Sequence, residues 1–153
     1  TYAAVGLFQE AEGYCDEAIF IEPDYALAHQ VRGQLRYSRR NYEGAIEEFQ
    51  TCIRLDLGLS DNTEIDLASF EPDDVAIECL YIHGLAHYFL NQCDLAWELL
   101  NMALNHPGSI ENVRLQILQG LENITINCVG YQGRGLPTPV PPTPIPPTPI
   151  GGF

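Results

Sequence analysis

Residues 28–56 read AHQVRGQLRYSRRNYEGAIEEFQTCIRLD, and residues 80–107 read LYIHGLAHYFLNQCDLAWELLNMALNHP. Laid over one another at an offset of 51, they align Gly33 with Gly84, Tyr37 with Tyr88, Tyr42 with Cys93, Ala45 with Ala96 and Ile53 with Leu104. An offset of 34 aligns Phe8 with Tyr42, Ala11 with Ala45, Ala18 with Cys52, Ile19 with Ile53 and Ile21 with Leu55. Self-similarity at such periods marks supersecondary units that stack because none can bury its apolar face alone. The larger offset implies one longer loop between units.

Inside the units the apolar residues recur at helical spacing: Ala45, Phe49, Cys52 and Ile53 in one stretch, Leu80, His83, Gly84 and His87 in another. EPDY and NHPGS supply turn signals. The pattern predicts an all-α chain with helices at 7–21, 25–38, 42–55, 75–90, 93–105 and 109–127, and an acidic loop at 56–74.

In these residues the chain resembles the tetratricopeptide repeat (TPR) family, whose pattern sets a glycine in the first helix against small residues in the second. Gly33 and Gly84 let the partner helix approach, and Ala45, Ala96 and Ala103 accept it. The resemblance implies an antiparallel helix-hairpin solenoid over residues 1–128, about three repeats with half-repeats at both ends, followed by an extended Pro/Thr-rich tail over 129–153. The chain departs from the pattern at Arg32 and Arg36, and again at His83 and His87, where large apolar or aromatic residues are usual. No tryptophan opens either helix.

The half-repeats carry the functional reading. Residues 1–6 align only with the last part of a first helix, and GSIENVRLQILQGLENITINC supplies a first helix with no partner after it. That last helix is apolar on several faces (Ile110, Val113, Leu115, Ile117, Leu118, Leu121, Ile124, Ile126), whereas a solenoid end normally has a polar outer side. Two complementary halves predict head-to-tail contact, and a contact that does not close makes a filament. The alternative is an ordinary capping helix.

The family resemblance places the first helices along a concave groove: Leu27, Gln30, Gln34, Tyr37 and Ser38, then Glu78, Tyr81, Leu85, Tyr88 and Phe89, then Arg114, Ile117, Leu121 and Ile124. Such a groove is aromatic and nearly free of cations, unlike the basic clamps that hold acidic peptides. It suits proline. The tail, LPTPVPPTPIPPTPIGGF (136–153), has eight prolines in eighteen residues, a composition that favours polyproline II. Pro137 to Ile150 would span about 43 Å at ~3.1 Å per residue, so the tail is expected to dock on an adjacent subunit through Pro137, Val140, Ile145, Ile150 and Phe153. A spacer is the alternative.

Net charge bounds the partners. Twenty-one acidic residues face seven basic ones, all arginine, for a net charge of −14, which disfavours nucleic acid and anionic membrane surfaces. No metal site is expected: His83 and His87 sit four apart but lack a third ligand, and the acidic loop lacks the glycine and spacing of a calcium loop. With no GxSxG, no phosphate-cradling loop and no cysteine in a basic setting, no enzyme and no cofactor are expected. The Asn123-Ile124-Thr125 sequon falls within a helix expected to be buried.

Stacking of TPR-like units would bring Cys93 to Cys128, and Cys52 to Cys79, leaving Cys15 alone; five small buried thiols are the alternative. Disulfides would place the protein outside the cell or on its surface, free thiols in the cytoplasm. The function expected is non-enzymatic self-assembly into a filament; the alternative is an adaptor that binds an extended apolar or Pro-rich peptide of another protein.

Overall fold

Arg40 and Asn91, 51 positions apart, both take the left-handed backbone conformation, with φ of 66° and 63°. Around Arg40, the Asn41 amide donates to the Arg36 carbonyl (2.8 Å) and the Arg40 amide to Tyr37 (2.9 Å). Around Asn91, the Gln92 amide donates to His87 (2.9 Å) and the Asn91 amide to Tyr88 (2.9 Å). Both are the crossed bonds that satisfy the last carbonyls of a helix and reverse the chain. The sequence repeat is thus also a repeat of backbone geometry.

The computed structural model describes residues 2–128, and among them every regular element is helical. In chain order these are α1 (Tyr2–Ile21), α2 (Ala26–Ser38), α3 (Tyr42–Leu57), α4 (Glu78–Phe89), α5 (Cys93–Leu104) and α6 (Glu111–Asn127). Asn41 caps α3 by accepting from the Gly44 amide, and Gly58, at φ 72°, ends it. Short 3-10 turns at Leu67–Ser69 and Pro72–Asp74 order part of the acidic loop. Tail positions Pro137, Val140, Ile145, Ile150 and Phe153 lie outside the described residues.

Neighbouring helices run antiparallel. Moving up α3, Tyr42 meets Phe89, Phe49 meets His83 and Cys52 meets Cys79, so successive partners move down α4. Each helix packs on the next, and α2, α4 and α6 also touch in that order. The core runs from α3 to α6, with Phe49, Ile53, Leu80, Trp97, Leu100, Ile117 and Ile124 all fully enclosed. Each such side chain contributes about 1.5–3 kcal/mol relative to exposure.

Close approach depends on three glycines, one each in α2, α4 and α6. A Cβ on Gly33 would lie 2.8 Å from a Phe49 ring carbon, one on Gly84 3.1 Å from Leu99 and Leu100, and one on Gly120 2.8 Å from Leu85. The first two were expected from the alignment; Gly120 was not, because residues 109–127 lack the second helix that reveals the motif.

Two expectations are corrected. The backbone of residues 2–6 continues α1 without a break, so those residues are not the end of a separate helix. The fourth helix begins at Glu78 rather than near residue 75, because Val75 and Ile77 are drawn into the core as the loop arrives.

Both expected disulfides are present, Cys52–Cys79 and Cys93–Cys128, and Cys15 is a buried free thiol. With partners 27 and 35 positions apart, each cross-link restricts the unfolded chain by about 3.5–4 kcal/mol in the loop-entropy account.

Gly33→Val is expected to lower the unfolding free energy by about 2 kcal/mol or more, since Phe49 is fully enclosed and cannot yield. Urea denaturation checks this, and an unchanged midpoint would contradict it.

Candidate functional site

The expected groove is divided by the structure. Leu27 and Phe89 are exposed, Gln30, Gln34, Tyr37, Leu85 and Tyr88 are partly exposed, and Tyr81 is buried. Ile117, Leu121 and Ile124, assigned to the groove wall from sequence, are core residues. They turn inward because Gly120 lets α6 settle on Leu85 and Leu100. No peptide reaches them in this conformation.

The exposed part of the groove gathers into an aromatic platform. The Tyr42 and Phe89 rings stack at 4.9 Å with an 11° interplanar angle, Tyr37 stands edge-on to Tyr42 at 5.5 Å, and Tyr88 meets Phe89 edge-on at 5.2 Å. Offset stacks and edge contacts of this kind add about 0.5–1.5 kcal/mol per pair beyond burial. Burial, and then the proximity of Tyr42 and Tyr81, pushes the Tyr37 hydroxyl up to about 12, so it stays protonated. Phe89 is 52% exposed, leaving the platform open at its centre. Sequence reasoning missed Tyr42, which opens α3 and so fell outside a groove built from first helices; its aromatic counterpart Phe8, 34 residues earlier, was the available signal.

Arg32 and Arg36 have a different task. Arg32 donates from Nε to Glu48 Oε2 (2.9 Å) and from Nη1 to Asp16 (2.7 Å). Arg36 donates from Nη1 to Glu48 Oε2 (2.9 Å) and from Nε to Glu12 (3.1 Å). Arg39 adds a second bond to Glu12 at 3.1 Å. His29 Nδ1 lies 2.9 Å from the other Glu48 oxygen. Glu48 is buried, a location that a carboxylate tolerates only when paired. At the offset of 51, Arg32, Arg36 and Glu48 correspond to His83, His87 and Leu99. The two units therefore differ as a set: where one has His83 and His87 with Leu99, the other has two arginines with an acid.

Apolar exposure concentrates at the two ends of the helix series. On α1, Leu7 (65% exposed), Tyr14 (65%) and Ile21 (72%) recur every two turns, with Phe20 beside them. At the other end Ile110, Leu115 and Ile126 are exposed, the last two about three turns apart on one face of α6. Exposed Gln119 and Glu122 separate them, so the apolar surface of α6 is narrower than the sequence implied. A cleft of about 330 Å³ between the acidic loop and α5 is lined by Leu67, Phe70, Pro72, Trp97 and Met102.

His83 and His87 pack ring against ring at 4.9 Å. His83 Nδ1 lies 3.2 Å from the Cys79 carbonyl oxygen, and His87 Nδ1 2.6 Å from Gln92 Oε1. Among the described residues no three His, Cys, Asp or Glu side chains converge as a metal site would require. Burial, reinforced by His87, lowers the His83 imidazole to about 3, and burial lowers His87 as well.

A lowered imidazole makes stability depend on pH. Below about 6.5 the unfolded chain protonates these rings while the folded chain keeps His83 neutral until about 3. Stability is therefore expected to fall as pH drops through that window, by about 1.4 kcal/mol per pH unit for each such ring. Asp56, raised by burial, titrates in the opposite sense, and comparison with His83→Leu cancels it. His83→Leu should flatten the dependence of unfolding free energy on pH between 6 and 4.5 by that amount; an identical slope in the variant would contradict the assignment.

Comparison with protein-family models finds no match to the chain, and comparison with curated proteins finds none either.

Proposed function

We propose that this chain is a non-enzymatic, TPR-like structural subunit that associates head to tail into a filament, with its Pro-rich tail laid on an adjacent subunit. The observation that carries the reading is the placement of exposed apolar side chains: Leu7, Tyr14, Phe20 and Ile21 on α1, Ile110, Leu115 and Ile126 at α6. Exposed apolar surface of this kind marks an interaction face, and two different faces on one molecule make a heterologous contact that propagates. The repeated turns at Arg40 and Asn91 and the glycines of α2, α4 and α6 support the solenoid part of the proposal.

The surroundings of such a contact favour the outside of a cell. Two disulfides fit an oxidising compartment, and among the described residues no helix is long and apolar enough to cross a membrane. The second reading, an adaptor for an extended apolar or Pro-rich peptide, is favoured by the open aromatic platform. It requires no contact through α1 or α6.

Association by this route has a particular salt response. With a net charge of −14, subunits repel one another, and salt screens that repulsion while leaving apolar contact intact. Light scattering is expected to rise with protein concentration and with added salt, and Tyr14→Glu is expected to abolish the rise without changing helical content. Association that survives Tyr14→Glu, or that salt disperses, would contradict the proposal.

A further inference from the structure

The last described residues fix where the tail leaves the helices. Asn127 Nδ2 donates to the Tyr88 hydroxyl at 2.8 Å, and Cys128 is bonded to Cys93, just beyond the turn that follows Phe89. The tail therefore departs from the edge of the platform formed by Tyr37, Tyr42, Tyr88 and Phe89. The disulfide holds that point of departure against α5.

Composition and length match this origin. Residues 129–136, VGYQGRGL, hold three glycines; a chain of that length and composition spans about 16 Å root-mean-square. That distance covers a return to Phe89, because Asn127 already touches the Tyr88 hydroxyl and the Tyr88 ring meets Phe89 at 5.2 Å. A tether of this length gives its end an effective concentration in the millimolar range at the platform. Weak proline–aromatic stacking then suffices for occupancy.

The sequence that follows matches it: in polyproline II form, at three residues per turn, Pro141, Pro144, Pro147 and Ile150 would fall on one side as an apolar ridge. Proline-rich segments dock on aromatic-lined surfaces because their extended form is ordered beforehand and loses little entropy. With no cation among its four rings, the platform suits an uncharged ligand, and residues 137–150 carry no charged side chain.

We infer that the aromatic platform is the docking site for the chain's own residues 137–150, occupied intramolecularly in the dispersed subunit. This deepens the proposed function by naming the surface the tail recognises, and it rests on that reading only for the tail as ligand, not for assembly. Transfer of the tail to an adjacent subunit would release one platform and fill an equivalent one.

The test is nuclear Overhauser contacts in the full chain carrying Tyr14→Glu, which is expected to keep it dispersed. Contacts are expected between proline Hδ protons of residues 137–150 and the rings of Phe89 and Tyr42. A mixture of isotopically distinct molecules should show none between molecules. Adding Phe89→Ala should remove these contacts and drop the amide order parameters of Thr138, Val140, Thr143, Ile145, Thr148 and Ile150 below about 0.6. Because Phe89→Ala also alters the helices, Pro141→Ser, Pro144→Ser and Pro147→Ser together provide a second variant confined to the tail, with the same loss expected. The inference is overturned if the parent chain shows no proline–platform contacts, if they arise only between molecules, or if the prolines instead contact Phe70 and Trp97 in the cleft. Contacts that persist with no assembly of the unsubstituted chain would sink the filament and leave the docking site standing.

Discussion

Glu48 is the group on which the position of α1 depends. It is buried on α3, and it holds Arg32 and Arg36 of α2 at 2.9 Å each. The same two guanidinium groups reach the other way to Asp16 and Glu12 of α1. Taking a carboxylate out of water costs several kcal/mol, and removal of any partner would leave that cost unmatched. The cluster therefore tolerates one arrangement of three helices. Among the described side chains of α1 none belongs to the main core, so this polar frame, together with buried Cys15 and half-buried Phe8, Ala11, Ala18 and Ile19, sets the direction in which Leu7, Tyr14 and Ile21 face.

The rest of the molecule is held by ordinary packing. From α3 to α6 the side chains interdigitate around Phe49, Trp97 and Leu100, and two disulfides tie successive helices together. One end of the helix series is thus a rigid core and the other an ion-paired helix. On α1 the arginines take up Glu12 and Asp16, while Glu10 and Glu17 remain exposed beside the apolar stripe.

Much of this was legible in the sequence. The six helices follow from apolar periodicity, and the pairs Cys52–Cys79 and Cys93–Cys128 were expected from stacking TPR-like units, beside the alternative of five free thiols. The groove was less accessible. Ile117, Leu121 and Ile124 occupy the face that the resemblance turns to a ligand, yet Gly120 lets α6 settle on Leu85 and Leu100 with that face in the core. Glu48 was hidden for another reason: its partners lie 12, 16 and 19 positions away on a neighbouring helix, and only the exchange with Leu99 marks it. Periodicity reports which side of a helix is apolar; it does not report which neighbour that side meets.

Electron cryomicroscopy of the unsubstituted chain at high concentration and moderate salt tests the central claim most directly. The account predicts fibres in which the stripe of Leu7, Tyr14 and Ile21 on one subunit packs against Leu115 and Ile126 of the next. Discrete particles in which that stripe faces solvent in every class would contradict it.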